Sequence, residues 1–189
     1  MRPRLRMSRL GAPALLAAWL LAAAPAHPAS GALPAELRVA LSEGTLAGAG
    51  TYRYWGFAVY RANLWIGPGF RSNSYVRHPF ALELHYLRDF AGAAIASRSI
   101  DEMRRVGGFS QGQTRDWQSA MQSLFPDVRP GDRITGINHP GRGASFLHNG
   151  RLRGEIADPQ FAELFFGIWL SGASSDPGLR QALLGQAPQ

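Results

Sequence analysis

The sequence predicts an α+β fold, a mainly antiparallel sheet with helices gathered on one side. Three observations lead there. Strand-like segments come in two blocks, each followed by a pair of helix-like segments, an order unlike the alternation that builds parallel sheets. Asn149-Gly150, between the strand-like runs Ala144 to His148 and Arg151 to Ile156, is a type I′ hairpin signal. The stretch from Asp158 to Gly185, DPQFAELFFGIWLSGASSDPGLRQALLG, reads as two capped helices in succession.

Taken in order, residues 1–26 read as a secretory signal peptide. Arg2, Arg4, Arg6 and Arg9 precede an apolar run from Ala12 to Ala24, and Ala24-Pro25-Ala26 supplies a small-x-small exit. The run is short of the ~20 apolar residues that a spanning helix needs. Cleavage is expected after Ala26, or after Ala29, giving an exported, periplasmic protein with no stable membrane anchor. Residues 27–36 form a short linker, and 37–189 a single domain. Leu37, Val39 and Leu41 alternate as a first strand, and Gly44 to Gly50 reads as a turn. Thr51 to Ile66 is rich in aromatic and β-branched residues and reads as strands with a bend near Gly56. Phe80, Leu82, Leu84 and Tyr86 alternate with Ala81, Glu83 and His85, a strand with one wet face.

Asp89 is the expected cap of a helix through Arg105. Ser110 and Gln113 form a capping box for the next, with Trp117, Met121, Leu124 and Phe125 on one face. Ile134 to Ile137 opens the second strand block. In the C-terminal pair, Asp158 and Asp176 are N-caps, each followed by a proline at the first helical position. Phe161, Leu164, Phe165, Ile168 and Trp169 share one face of the first helix, and Leu179, Leu183 and Leu184 one face of the second.

Composition excludes several chemistries. The chain has no Cys, hence no disulfide, thiolate nucleophile or Cys-bound metal, and no Lys, hence no Schiff-base lysine or Walker-type phosphate loop. Four of its 20 basic residues and none of its 13 acids lie in the leader, so cleavage takes the net charge from +7 to +3. No basic cluster interleaved with aromatics remains, and nucleic acid is not an expected partner. Gly108-Phe109-Ser110-Gln111-Gly112 fits the G-x-S-x-G pattern, but that motif needs a strand before the serine. Here a helix-like segment precedes it and Ser110 has a capping task. His78, His85, His139 and His148 show no metal-ligand spacing, so no metal and no cofactor are expected.

FAELFFGIWL, a Ser-rich link and then PGLRQALLG resemble the C-terminal signature of bacterial chalcone-isomerase-like proteins. GAGTYRYWGFAVYRANLW, FALELHYLRDF, FPDVRPGDRITG and FLHNGRLRGEIAD resemble further blocks of that family, in the same order. The resemblance covers nearly all of the chain after the leader. It implies an open-faced β-sandwich whose long sheet is covered on one face by helices, with a ligand cleft between the layers. The family holds isomerases and fatty-acid binders.

In the isomerases an Arg follows a Gly-x-Gly turn and a Thr lies on the next strand, whereas the fatty-acid-binding relatives keep the Arg and carry Tyr. In this chain Gly48-Ala49-Gly50 is followed by Arg53, one residue later than that pattern, and Val59-Tyr60-Arg61-Ala62-Asn63-Leu64-Trp65 resembles the Tyr motif. An Arg fork and a phenol at the end of an apolar cleft suit a carboxylate with an acyl tail. The alternative is a surface Arg53 and a core Tyr60. Arg88, where a strand passes into a helix, is a third ligand-binding candidate, or a partner for Asp89, Asp101 or Glu102. Ser174 and Ser175 fall near a substrate-touching hydroxyl of the isomerases, or prepare the last cap. The resemblance thus implies a non-catalytic binder of a small apolar acid such as a fatty acid, with an isomerase (intramolecular lyase) as the alternative. Tyr60 in place of Thr, and no match for the isomerases' helix Tyr and Asn, favour the binder.

Overall fold

The computed structural model describes residues 32–185, 187 and 188; the signal peptide expected at residues 1–26 lies outside them. Six strands, β1 (Thr45–Tyr54), β2 (Phe57–Ile66), β3 (Phe80–Tyr86), β4 (Arg133–His139), β5 (Gly143–His148) and β6 (Arg151–Ile156), form one sheet in chain order. Every neighbouring pair is antiparallel. Helices α1 (Gly92–Val106) and α2 (Gln111–Leu124) follow β3, and α3 (Pro159–Leu170) and α4 (Pro177–Leu184) follow β6. This is the α+β layout expected.

The main core lies between sheet and helices. Leu64, Leu82, Ile134 and Phe146 meet Ile100, Met103, Phe161, Phe165, Phe166 and Trp169 there. α3 is its centrepiece, with every residue from Leu164 to Leu170 buried. Asp158 caps α3 by accepting from the backbone N–H groups of Gln160 and Phe161 at 2.9 and 3.1 Å. Its other oxygen accepts from Trp117 Nε1 at 2.9 Å, so one carboxylate also ties α2 to α3. The Ser110–Gln113 capping box forms as expected, with both of its hydrogen bonds made.

Four elements differ from the sequence reading. Leu37 to Leu41 is not a strand: a 3-10 helix, Ala35–Leu37, continues into a turn in which the Leu41 N–H donates to the Leu37 carbonyl at 2.8 Å. Residues four apart share a helical face just as residues two apart share a strand face, so Leu37 and Leu41 are buried and Val39 points outward either way. Gly44 to Gly50 is mostly strand, and two of its glycines serve close packing. A Cβ on Gly48 would lie 2.1 Å from the Ala182 carbonyl oxygen, and one on Gly50 2.6 Å from Leu179 Cδ1, because α4 rests on β1.

The α1 helix starts at Gly92 and is not capped by Asp89; Asp127 accepts from the Gly92 N–H at 2.9 Å instead. Finally, the second face of β3 is largely dry. Leu37 and Leu41 lie across Trp65, Ala81, Ile137 and Leu147 as a smaller core. Beside it the buried Glu83 accepts from Asn63 at 3.1 Å, Arg133 at 2.8 Å and His85 at 2.6 Å, while Arg133 also reaches Glu36 at 2.9 Å. Burial pushes the Glu83 carboxyl up, but the hydrogen bonds and charges of His85, Asn63 and Arg133 outweigh it and hold the group below its usual range.

Candidate ligand cavity

Between the first turns of α1, the C-terminal half of α3 and the sheet lies a cavity of about 310 Å³. Its walls are mostly apolar, with Leu84, Ile95, Phe125, Ile134, Phe165 and Ile168 among them. The volume falls at the lower end of the range for small-molecule sites, and apolar walls with a few polar groups are their usual composition.

Three phenols stand at one side. Tyr52 and Tyr60 are directly paired across β1 and β2, and their rings stack with centroids 5.0 Å apart. Tyr60 is in turn paired with Tyr86 on β3, ring edge to face at 6.0 Å. Side chains alternate along each strand, so this register puts all three on the helix side of the sheet. Trp169 Nε1 donates to the Tyr60 hydroxyl at 2.9 Å. The Tyr60 proton finds no acceptor among the described residues, and neither does that of Tyr86, which is 4% exposed. Burial pushes both phenols well above their ordinary value, so they remain protonated donors across the physiological range.

The charged wall is a single pair on α1. Arg98 is bound to Glu102 one turn on, and Arg105 also approaches Glu102, at 3.7 Å. Ser99 donates to the Ile95 carbonyl at 2.9 Å, and Ser175 completes the rim near α4.

Of the residues singled out from the sequence, Tyr60 and Ser175 line the cavity, and Arg53 and Arg88 are not among its lining residues. Arg53 lies at the exposed end of the β1–β2 hairpin, where its guanidinium donates to the Gly56 carbonyl at 3.4 Å. Arg88 donates to the Ala58 carbonyl at 3.1 Å and lies over the Phe57 ring, 4.8 Å from its centroid. Ser174 sits beside Asp176, whose side chain caps α4. Ser110 is an N-cap with α1 before it, not a nucleophile on a strand-to-helix turn.

Tyr52, Tyr86, Arg98, Ser99 and Glu102 escaped the sequence reading. Tyr86 carried a legible signal, being in the apolar phase of its strand with a polar tip. Arg98 and Glu102 carried only the spacing of an ordinary helix-surface pair. Among the described residues no three His, Asp or Glu side chains gather as metal ligands, and no helix is long and apolar enough to cross a membrane.

The chain is thus an α+β protein in which an antiparallel meander, with helices on one face, encloses an apolar cavity edged by phenols. The profile of the chalcone isomerase-like family matches residues 28–185, and the chain belongs to that family. A protein of Haemophilus influenzae is 32% identical over 134 residues, covering 70% of this chain and 64% of the relative, so the match spans less than two thirds of that relative's length. Among solved structures, a fatty-acid binding protein of Arabidopsis thaliana superposes with a TM-score of 0.60 at 12% identity, covering 75% of this chain and 86% of that one. Likeness at that identity establishes the shared fold.

Proposed function

We propose that this protein is a non-catalytic binder of a small apolar acid, of the fatty-acid class, held in the cavity between the sheet and α1 and α3. The observation that carries the reading is the pair of phenol donors, half-buried Tyr60 and buried Tyr86, with protons unclaimed among the described residues, at the wall of an otherwise apolar cavity. An acyl chain fills such walls, and a carboxyl or carbonyl oxygen accepts from the phenols. The description of the Arabidopsis neighbour as a fatty-acid binding protein supports the same class of ligand. Arg98 is the cation that lines the cavity. Arg53 and Arg88 enter the proposal as further carboxylate partners, to be tested beside it. The site belongs, in this proposal, to an exported protein whose leader is removed on reaching the periplasm.

Ala94 tests the cavity directly, because it lines the space yet is itself exposed on α1. Ala94→Trp should occlude the cavity with little effect on folding, since exposed helix positions tolerate substitution. The parent should bind a medium- or long-chain fatty acid and melt at a higher temperature with it, as mass action requires. Ala94→Trp should lose both effects. A charged hydrogen bond contributes about 1.5–3 kcal/mol, so alanine at the arginine holding the head should weaken binding about ten- to a hundredfold, and the methyl ester should be insensitive to that change. Undiminished binding by Ala94→Trp would place the ligand elsewhere.

A further inference from the structure

Two hairpins of this chain use the same backbone turn and fill it with different residues. At the β5–β6 turn Asn149 has φ 50° and Gly150 φ 80°; at the β1–β2 turn Trp55 has φ 51° and Gly56 φ 80°. Asn is among the residues that tolerate the left-handed region, and here it also works locally. Its side chain accepts from the Arg133 N–H at 2.8 Å and donates to Asp132 at 2.9 Å. A bulky aromatic is an outlier there. Trp55 is 85% exposed and enters no hydrogen bond among the described residues, so neither turn chemistry nor burial accounts for it.

Its neighbours repeat the anomaly. Tyr54 is 57% and Phe57 61% exposed, so three of the five large exposed hydrophobics among the described residues fall within one hairpin tip. Arg53 and Arg88 are exposed at it, Arg53 donating to Gly56 and Arg88 lying over the Phe57 ring, and neither has a carboxylate within ion-pair distance among the described residues. Asp89, next to Arg88, is the nearest acid in sequence.

We propose that the β1–β2 tip docks the protein on an anionic phospholipid bilayer. Trp55, Tyr54 and Phe57 would lie at the boundary between headgroups and acyl chains, with Arg53 and Arg88 on the lipid phosphates. Aromatic rings with polar edges favour that boundary, and exposed arginines add attraction to an anionic surface. The charge is complementary to phosphate. The tip is also a projecting turn of a few residues, far smaller than the roughly 1,000 Å² of total buried surface that a stable protein interface needs. Lipid anchoring has no such requirement, since a few interfacial side chains and a basic rim act together. The inference stands on the tip, and it gives Arg53 and Arg88, which do not line the cavity, to lipid phosphates in place of a ligand carboxylate. The same hairpin does carry Tyr52 and Tyr60 into the cavity wall, so docking would bring that wall close to the bilayer.

Trp55→Asn separates this role from folding, because Asn is the residue the other hairpin already uses in the same conformation. The whole chain and its Trp55→Asn variant, prepared alike, are mixed with vesicles of phosphatidylglycerol and phosphatidylcholine, or of phosphatidylcholine alone, and sedimented. The parent should bind the anionic vesicles with a blue-shifted tryptophan emission, and lose binding in high salt, which screens exposed charges. Trp55→Asn should partition at least about tenfold more weakly, while melting no lower than the parent. Equal partitioning of the two proteins, or no binding by the parent, would overturn the proposal. Absence of vesicle binding together with a Trp55-dependent dimer by light scattering would overturn it in favour of a contact between copies of this chain.

Discussion

Replacing Tyr60 by Phe removes one oxygen and strands a neighbour. The Trp169 indole donates to that oxygen at 2.9 Å, and Trp169 is 7% exposed, so in Tyr60→Phe the N–H has little access to water. A buried donor left without a partner costs about 1–3 kcal/mol, more than the ~1 kcal/mol net contribution of an ordinary neutral hydrogen bond. In a chain of this size each kcal/mol moves the melting temperature by roughly 2–4 °C, so a fall of several degrees is expected. Trp169→Phe is also destabilising, through lost packing against Phe165. The two changes should not add, because the second removes the orphan that the first creates. A double-mutant cycle built from urea melts followed by circular dichroism, which does not depend on the lost indole, should return a coupling of about 0.5–1.5 kcal/mol. A coupling indistinguishable from zero, or a Tyr60→Phe variant as stable as the parent, would refute the bond and with it the orientation of the Tyr60 proton toward the cavity.

Three further outcomes follow from particular residues. Intact mass of the exported protein should show a start at His27, or at Ser30 if cleavage follows Ala29; full-length chain in the membrane fraction would reverse that expectation. Chalcone should not be cyclised above background, because the residues matched to the isomerase pattern, Arg53 and Tyr60, do not converge on one point of the cavity; a clear rate lost in Arg53→Ala would make the protein an enzyme. Glu83 has a folded-state value below its ordinary one, so the stability it contributes is complete above the ordinary carboxylate range near ~4.3 and is lost as pH falls through that range toward the lower folded value. Glu83→Gln should therefore be destabilised at neutral pH and flatten the acid limb of the stability curve, and an unchanged acid limb would show that other carboxylates carry it.

The sequence by itself determined the class of fold, the hairpin at Asn149-Gly150, the capping box at Ser110 and the two capped C-terminal helices. Each of these rests on a local preference: a turn conformation, a side chain that satisfies a helix end, or an apolar period. Phe165 and Trp169 were legible as buried for the same reason, since a helix with one wide apolar face has to cover it. What only the tertiary structure decided was how separate segments meet. Leu37 and Leu41 satisfy a strand and a helical turn equally, and their packing over Trp65 and Ala81 selects the turn. That same cover dries the outer face of β3 and turns Glu83 from an expected surface acid into the centre of a buried network. Gly48 and Gly50 read as a turn until α4 is laid across them. The site followed the same rule. Tyr60 stood out in sequence, but its union with Tyr52 and Tyr86 depends on register across three strands, and the approach of Arg98 and Glu102 on which face of α1 meets the sheet. Local chemistry is written in neighbouring residues, whereas a cavity is made by segments far apart in the chain, whose relative placement is fixed only when the core packs.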